Sequence, residues 1–218
     1  MKQFVRNKIA AKIGFIIQKF ISIYADSVVQ KIRQGGRQIG NNVKFFDIKS
    51  CFIDPTRPWL LRIGNDVSIT RGVVILTHDY SKIVLKKLYG LYYGEGQVTS
   101  IGNNVFIGMN SVILMGTTVG NNVIIGAGSV CHGTIPDNVV VAGNPARVIC
   151  SIDEHCEKIK EREIADAVQC INAYRDVFGK NPTERDLKEF DHLFKSEDSL
   201  YFNRFADFVE ERGEHEKI

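Results

Sequence analysis

The stretch IGNNVFIGMNSVILMGTTVGNNVIIGAGSV, residues 101–130, carries an aliphatic residue at every sixth position. A period of six matches neither the 3.6-residue period of a helix nor the simple alternation of a strand. The same spacing occurs twice earlier in the chain, from residue 39 and from residue 63. The aliphatic positions are Ile39, Phe45 and Cys51, then Ile63, Ile69 and Ile75, and finally Ile101, Ile107, Ile113, Val119 and Ile125. The repeat is therefore not local to one stretch and extends over about half of the chain.

Turn-forming residues follow the aliphatic positions in IGNNVK, IGNDVS, IGNNVF and VGNNVI. Gly, Asn and Asp tolerate positive φ, so a sharp corner can recur every six residues. Three short strands and three corners close a triangular coil, and stacked coils place Ile101 against Val119 and Ile107 against Ile125. The pattern predicts a parallel β-helix. An antiparallel sheet would need two-residue turns, which break the period.

Three motifs, in this order, resemble the hexapeptide-repeat acyltransferases, above all galactoside, maltose and capsule or O-antigen O-acetyltransferases. They are VVILTHDYS (73–81), the tandem repeats from 101, and IPDNVVVAGNPARVI (135–149). The resemblance implies a left-handed parallel β-helix, a homotrimer, acetyl-CoA as acyl donor and no metal. It also implies direct attack by a sugar hydroxyl of a bacterial surface polysaccharide precursor.

Three regions divide the chain: a basic amphipathic helix at 1–38, the mainly β acyltransferase domain at 39–149, and a helical extension at 150–218. The first region has eight Lys or Arg against one acid, whereas the last has eighteen acids against eleven bases. We expect C-terminal helices near 152–178, 184–195 and 199–212, with Gly179 ending the first. The N-terminal helix either contacts an anionic membrane surface or packs on the protein.

His78 is the predicted general base. It lies at the end of the coil that begins at Ile63, just before a loop at 81–98 that interrupts the period. Long loops in compact repeats often carry function, and a neutral imidazole suits proton transfer near neutral pH. By resemblance, His78 occupies the place of the family's catalytic histidine. Asp79 is a second candidate, for orienting or stabilising the site.

The resemblance places the cofactor along small residues of the later coils and near two polar side chains. The positions are Gly108, Met109, Gly126, Ala127, His132 and Arg147. A guanidinium at Arg147 suits the nucleotide phosphates. Cys51 and Cys131 fall on the inward positions and are predicted to fill the core.

Candidate residues for acceptor binding lie both before His78 and in the loop that follows it. Asp54, in CFIDP, resembles an acidic family residue that hydrogen-bonds a sugar hydroxyl, but the following TRPWLL departs from the family spacing. Asp47 and Tyr92 are further candidates for acceptor binding. Trp59, Tyr89 and Tyr93 could stack on a sugar or lie at a trimer interface.

Composition limits the remaining alternatives. Five cysteines without a CxxC pair favour a reduced cytoplasmic chain, at the inner face of the membrane if the N-terminal helix binds there. No nucleic-acid partner is expected. A γ-class carbonic anhydrase needs three zinc-binding histidines, and the repeats offer only His78 and His132. N-acetylation of an amino sugar nucleotide, acetylation of an antibiotic or serine, and a non-catalytic trimeric scaffold stay open.

Overall fold

A computed structural model describes residues 29, 30, 33, 35–90, 95–190 and 209. Two compact units divide the chain, residues 1–153 and 154–218. The predicted helix at 1–38 lies almost entirely outside the described residues. No helix in the described part of the chain is long and apolar enough to span a membrane.

The first unit is a parallel β-helix with three faces, as the six-residue period predicts. Each face stacks one short strand from every coil. The first face holds β1 (Gln38–Ile39), β4 (Leu61–Ile63), β7 (Thr99–Ile101), β10 (Thr118–Val119) and β13 (Thr134–Ile135). The second holds β2 (Lys44–Phe45), β5 (Val67–Ile69), β8 (Val105–Ile107), β11 (Val123–Ile125), β14 (Val139–Ala142) and β15 (Arg147–Ser151), the last of which is antiparallel. The third holds β3 (Phe52–Ile53), β6 (Val74–Ile75), β9 (Val112–Ile113) and β12 (Val130–Cys131).

The core is an aliphatic ladder inside the coils. Ile101 pairs with Val119 and Ile107 with Ile125, so the predicted register is confirmed. Ile107 and Ile125 are fully buried. Removing such apolar area from water in every coil is the main stabilising contribution.

One inward position differs from the prediction. Ile53, not Cys51, pairs with Ile75, because the first coil contains two more residues before its third strand. Cys51 is half-buried beside the ladder, where it still packs against the core. Cys131 occupies the ladder and pairs with Ile113. Burial raises the pKa of the Cys131 thiol to about 11, which suits a core residue and not a nucleophile.

The corner after the first face is held by asparagines. Asn104 and Asn122 have φ of 54° and 53°, the left-handed conformation that Asn tolerates. Their side chains hydrogen-bond each other at 2.8 Å, and Asn122 donates to Asn138 at 2.8 Å. A polar ladder thus joins successive coils at the surface.

The corner between the third face and the next coil is where the period is interrupted, and we call it the insertion corner. It carries residues 54–60 after β3 and residues 76–98 after β6, whereas β9 and β12 are followed by tight turns. A short helix, α1 (Ile83–Tyr89), lies within the predicted loop 81–98, and Gly90 ends it with φ of 68°. The two insertions lie on neighbouring coils because β3 and β6 are paired.

The second unit contains α2 (Ile152–Phe178), which begins in the last residues of the first unit. Its bounds match the predicted helix, and Gly179 follows it with φ of 62°. Thr183 and Asp186 make the predicted cap, with the Thr183 amide 2.8 Å from the carboxylate. The predicted helix at 184–195 is wrong for its described residues, which form a turn at 184–187 and a 3-10 turn at Lys188–Phe190. Most of the predicted helix at 199–212 lies outside the described residues.

Candidate active site

His78 and Asp54 form a buried pair at the insertion corner. Asp54 follows β3 and His78 follows β6, and the Asp54 amide donates to the Ile75 carbonyl at 3.0 Å. This pairing brings side chains 24 residues apart into contact, with His78 Nδ1 hydrogen-bonded to Asp54 Oδ2. Asp54 is fully buried, and His78 retains 9% exposure. The imidazole therefore reaches the surface while its carboxylate partner does not.

Two threonines complete the environment of the Asp54 carboxylate. Thr77 donates its amide at 3.0 Å and its hydroxyl at 2.5 Å to Oδ2, and Thr56 donates its amide at 2.9 Å and its hydroxyl at 2.8 Å to Oδ1. Burial raises the pKa of the Asp54 carboxyl, but the hydrogen bonds from Thr77, Thr56 and His78 together outweigh burial and hold it well below its usual range. Asp54 is therefore a carboxylate at neutral pH.

The carboxylate determines which imidazole nitrogen can act as a base. An ionised Asp54 accepts a hydrogen bond from Nδ1–H, so the imidazole keeps its proton on Nδ1 and its lone pair on Nε2. The Thr56 hydroxyl lies 3.0 Å from Nδ1, on the same side as the carboxylate. The Tyr80 ring meets the imidazole edge to face, with ring centroids 4.4 Å apart. The ring is thus oriented for proton transfer at Nε2, as in other carboxylate–histidine pairs.

Asp79 occupies a different position from its neighbour. It is exposed, and its carboxylate accepts the Ser81 amide at 2.7 Å and the Ser81 hydroxyl at 2.9 Å. These hydrogen bonds lower the pKa of the Asp79 carboxyl. Asp79 thus shapes the start of the loop. The carboxylate that orients His78 is Asp54, for which the sequence had predicted a role in acceptor binding.

The loop that follows His78 is anchored on both sides of α1. Lys82 and Glu95 form an ion pair at 2.9 Å. The Gln97 amide donates to the Thr77 carbonyl at 3.1 Å, and the Thr99 hydroxyl donates to the Leu76 carbonyl at 2.7 Å. The returning segment therefore runs alongside the residues that hold His78.

The predicted cofactor residues lie along the later coils, one coil or more away from the imidazole. Met109, Ala127, His132 and Arg147 are exposed. Gly108 is buried against the next coil. A Cβ there would lie 2.5 Å from the Ala127 amide nitrogen, so only glycine fits.

The exposed small residues fit a narrow acyl-carrier arm. Beside Ala127, a Cβ added at Gly128 would meet no atom within 4 Å, so the backbone there is open. His132 and Arg147 would supply the polar contacts to a nucleotide.

The other predicted acceptor residues do not gather around the imidazole in the same way. Asp47 forms an ion pair with Arg71 at 3.5 Å and begins a 3-10 turn, Ile48–Ser50. Tyr92 lies outside the described residues, as does Tyr93. Trp59 and Tyr89 are 63% and 67% exposed, on the two insertions of the insertion corner.

Sequence reasoning missed Thr56, Thr77 and Tyr80. Thr77 directly precedes His78, and Thr56 follows Asp54 by two residues, the spacing at which a hydroxyl and an amide can both turn back to a carboxylate. That spacing was a usable signal. In the part of the chain that the structure describes, no three His, Cys, Asp or Glu side chains gather as metal ligands do.

Comparison with known proteins agrees with the repeats. Residues 99–133 match the family model of the bacterial transferase hexapeptide (six repeats). Protein CapG of Staphylococcus aureus is 46% identical over 143 residues, which cover 65% of this chain and 80% of CapG. The putative acetyltransferase YvoF of Bacillus subtilis (strain 168) is 33% identical over 104 residues, which cover 48% of this chain and 55% of YvoF.

A solved structure of a galactoside acetyltransferase in complex with coenzyme A is 35% identical, covering 56% of this chain and 58% of that one, with a TM-score of 0.41. The chain thus spans more than half of YvoF and of this enzyme, and most of CapG. The sequence prediction of a hexapeptide-repeat acyltransferase is confirmed. The extent and identity of the CapG match, together with the repeat motif, show that the chain belongs to the bacterial hexapeptide transferase family.

Proposed function

We propose that the chain transfers an acetyl group from acetyl-CoA to a hydroxyl of a saccharide, with His78 as general base. One observation carries the proposal: His78 is held by the buried Asp54 carboxylate at the corner where the repeat is interrupted. The similarity to CapG and to YvoF, a putative acetyltransferase, supports the reaction class.

His78 would act on the acceptor proton. Bound acetyl-CoA supplies the thioester carbon, its C–S bond breaks, and coenzyme A leaves as the free thiol. As the hydroxyl oxygen bonds to that carbon, Nε2 of His78 takes the hydroxyl proton, and Asp54 stabilises the imidazolium that forms. The imidazolium then returns the proton to the departing sulfur, so His78 ends the cycle neutral. No covalent acyl-enzyme is required.

The acceptor is the second part of the proposal. A precursor of a bacterial surface polysaccharide is our first choice. The alternatives are N-acetylation of an amino sugar nucleotide and O-acetylation of an antibiotic or serine. The exposed Trp59 favours a sugar, because aromatic rings stack on the apolar faces of sugar rings. A non-catalytic trimeric scaffold would release no thiol from acetyl-CoA.

His78→Ala tests the base. We expect kcat to fall by about 10²–10⁴-fold with the fold and the affinity for coenzyme A retained, because the imidazole lies at the corner and outside the aliphatic ladder. Thiol release with a saccharide acceptor measures kcat. His132→Ala is the matched control, and it should chiefly raise the KM for acetyl-CoA. Retention of half the wild-type kcat in His78→Ala would remove His78 as the base.

The assembly and location are part of the proposal. We propose a homotrimer, with the cofactor between neighbouring β-helices, in the cytoplasm. Exposed aromatic side chains on the second face support an interface, since Phe106 on β8 is 42% exposed and Phe46, next to β2, is 68% exposed. Residues 1–38 would contact either the inner membrane surface or the trimer.

A further inference from the structure

The segment DPTRPWL, residues 54–60, is the second insertion of the insertion corner and has no assigned role beyond Asp54 and Thr56. It contains Pro58–Leu60 as a 3-10 turn, with Trp59 exposed at its tip. The segment lies one coil away from His78 and contacts it through Thr56. The segment is therefore a direct neighbour of the candidate base.

Arg57 lies between the two insertions. A Cβ added at Gly96 would be 3.0 Å from Arg57 Cδ and 3.2 Å from Arg57 Nε, so the arginine side chain runs along the returning loop. Gln97, the next residue, donates its amide to the carbonyl of Thr77, the neighbour of His78. Arg57 thus follows Thr56, which contacts both Asp54 and His78, and it lies beside Gly96, which precedes Gln97.

The guanidinium of Arg57 has unused hydrogen-bonding capacity. Its Nη1 is buried without a hydrogen-bond partner, although the residue as a whole is part-exposed. Among the described residues no carboxylate lies within salt-bridge distance of it. A buried N–H without a partner is costly, and a cation without a counter-ion is costlier still.

Arg37 repeats this feature on the same coil. Its Nη2 donates to the Asp54 carbonyl at 2.9 Å, while its Nε is buried without a partner. Burial lowers the pKa of Arg37, and the nearby Asp54 carboxylate partly offsets this. The buried Asp54 carboxylate already accepts hydrogen bonds from five donors. It therefore does not serve as the anionic partner of Arg57.

We propose that Arg57 determines acceptor specificity by binding an anionic group of the saccharide, a carboxylate or a phosphate, while Trp59 lies beside the sugar. The inference rests on the proposed function. A guanidinium fork matches the two oxygens of a carboxylate or phosphate, and such charge-assisted bonds are stronger than neutral ones. The acceptor is therefore an acidic saccharide or a sugar phosphate.

Arg57→Gln in the full-length chain is the test. Acetyl transfer is measured by thiol release with methyl β-glucuronide, methyl β-glucoside and glucose 1-phosphate. For wild type we expect kcat/KM to be higher for one of the two anionic probes than for the neutral glucoside by about 10- to 100-fold. Arg57→Gln should abolish that preference by lowering kcat/KM for the preferred anionic probe far more than kcat/KM for the glucoside. The preferred probe identifies a carboxylate or a phosphate as the ligand.

Two further variants separate a specificity role from a structural one. Arg57→Lys keeps the charge but loses the fork, so it should retain part of the preference. Arg62→Gln removes an exposed arginine of β4 and should change nothing. A loss of kcat/KM that is equal for the anionic and neutral probes in Arg57→Gln, or equal use of all three probes by wild type, would overturn the inference.

Calorimetric titration of the same probes, without acetyl-CoA, distinguishes this inference from the proposed function. Binding of an anionic probe to wild type and not to Arg57→Gln, with no thiol release from any probe, would sustain the anion site and count against the acetyltransferase reaction. Acetylation of the glucoside alone would sustain the reaction and overturn the anion site. No binding of either anionic probe to wild type would overturn the anion site as well.

Discussion

Asp54 is a fully buried carboxylate whose oxygens accept hydrogen bonds from two threonines and from the imidazole of His78. Asp54→Asn would keep the size of the side chain but present an amide that can donate to Nδ1. The imidazole would then favour the tautomer with its proton on Nε2, which cannot accept a proton there. We expect kcat to fall on the order of 10²–10⁴-fold, with the KM for acetyl-CoA unchanged, as measured by steady-state thiol release.

Asp79→Asn is the matched control, because this neighbouring carboxylate bonds to Ser81 and not to the imidazole. Its kcat should stay within a factor of a few of wild type. The reverse result, a large loss in Asp79→Asn and a small one in Asp54→Asn, would return the orienting role to Asp79, as the sequence prediction had it.

The Asp54 carboxylate also makes the stability of the fold depend on pH. The pKa of Asp54 in the folded chain lies well below its unfolded value, about 3.9, so ionised Asp54 stabilises the fold. This contribution is fully present above about pH 5 and is lost as pH falls through the folded pKa. The difference in melting temperature between wild type and Asp54→Asn should therefore shrink as the pH falls below about 4. A difference that grows as the pH falls below about 4 would contradict this sign.

At the scale of the element, the coil could be predicted closely from the sequence. Ladder positions and corner asparagines recur every six residues, and each repeat confirms the register of the next. The first coil could not be placed as well, because two extra residues move the ladder from Cys51 to Ile53. Since Asp54 follows Ile53, this shift also concealed the contact between Asp54 and His78. The six-residue period alone cannot predict a contact that forms where two extra residues interrupt it.

Gly108 shows how the coil constrains a residue that was predicted to bind the cofactor. Gly108→Ala would place a Cβ 2.5 Å from the Ala127 amide nitrogen, which belongs to backbone and cannot move aside. We expect a loss of stability of about 1–3 kcal/mol, measured by denaturant unfolding. Met109→Ala, at the exposed neighbouring position, should keep the stability and raise the KM for acetyl-CoA. An unchanged stability in Gly108→Ala would mean that the coils are less tightly stacked.

The corner asparagines can be tested in the same manner. Asn122 has φ of 53° and links Asn104 to Asn138 across two coils. Asn122→Ala should destabilise the protein by about 1–2 kcal/mol, because alanine is strained in the left-handed conformation and lacks the side-chain hydrogen bonds to Asn104 and Asn138. Asn122→Gly avoids the strain and should cost less in thermal or denaturant unfolding. Equal losses in both variants would show that the side-chain ladder, and not the backbone conformation, is what matters.

At the scale of the whole molecule, the proposed trimer and the proposed cofactor groove are one hypothesis, because the groove needs two neighbouring β-helices. Light scattering should report about three times 24.5 kDa. A coenzyme A molecule bound between subunits binds only the assembled protein, so at about 100 times its dissociation constant it should stabilise the protein by about 2.7 kcal/mol. It should also keep the trimer intact at dilutions where the free protein dissociates. Arg147→Ala should weaken both effects together, since its guanidinium is predicted to contact the nucleotide phosphates. A monomer with full activity, or stabilisation by coenzyme A that is independent of protein concentration where the trimer dissociates, would place the cofactor within one chain.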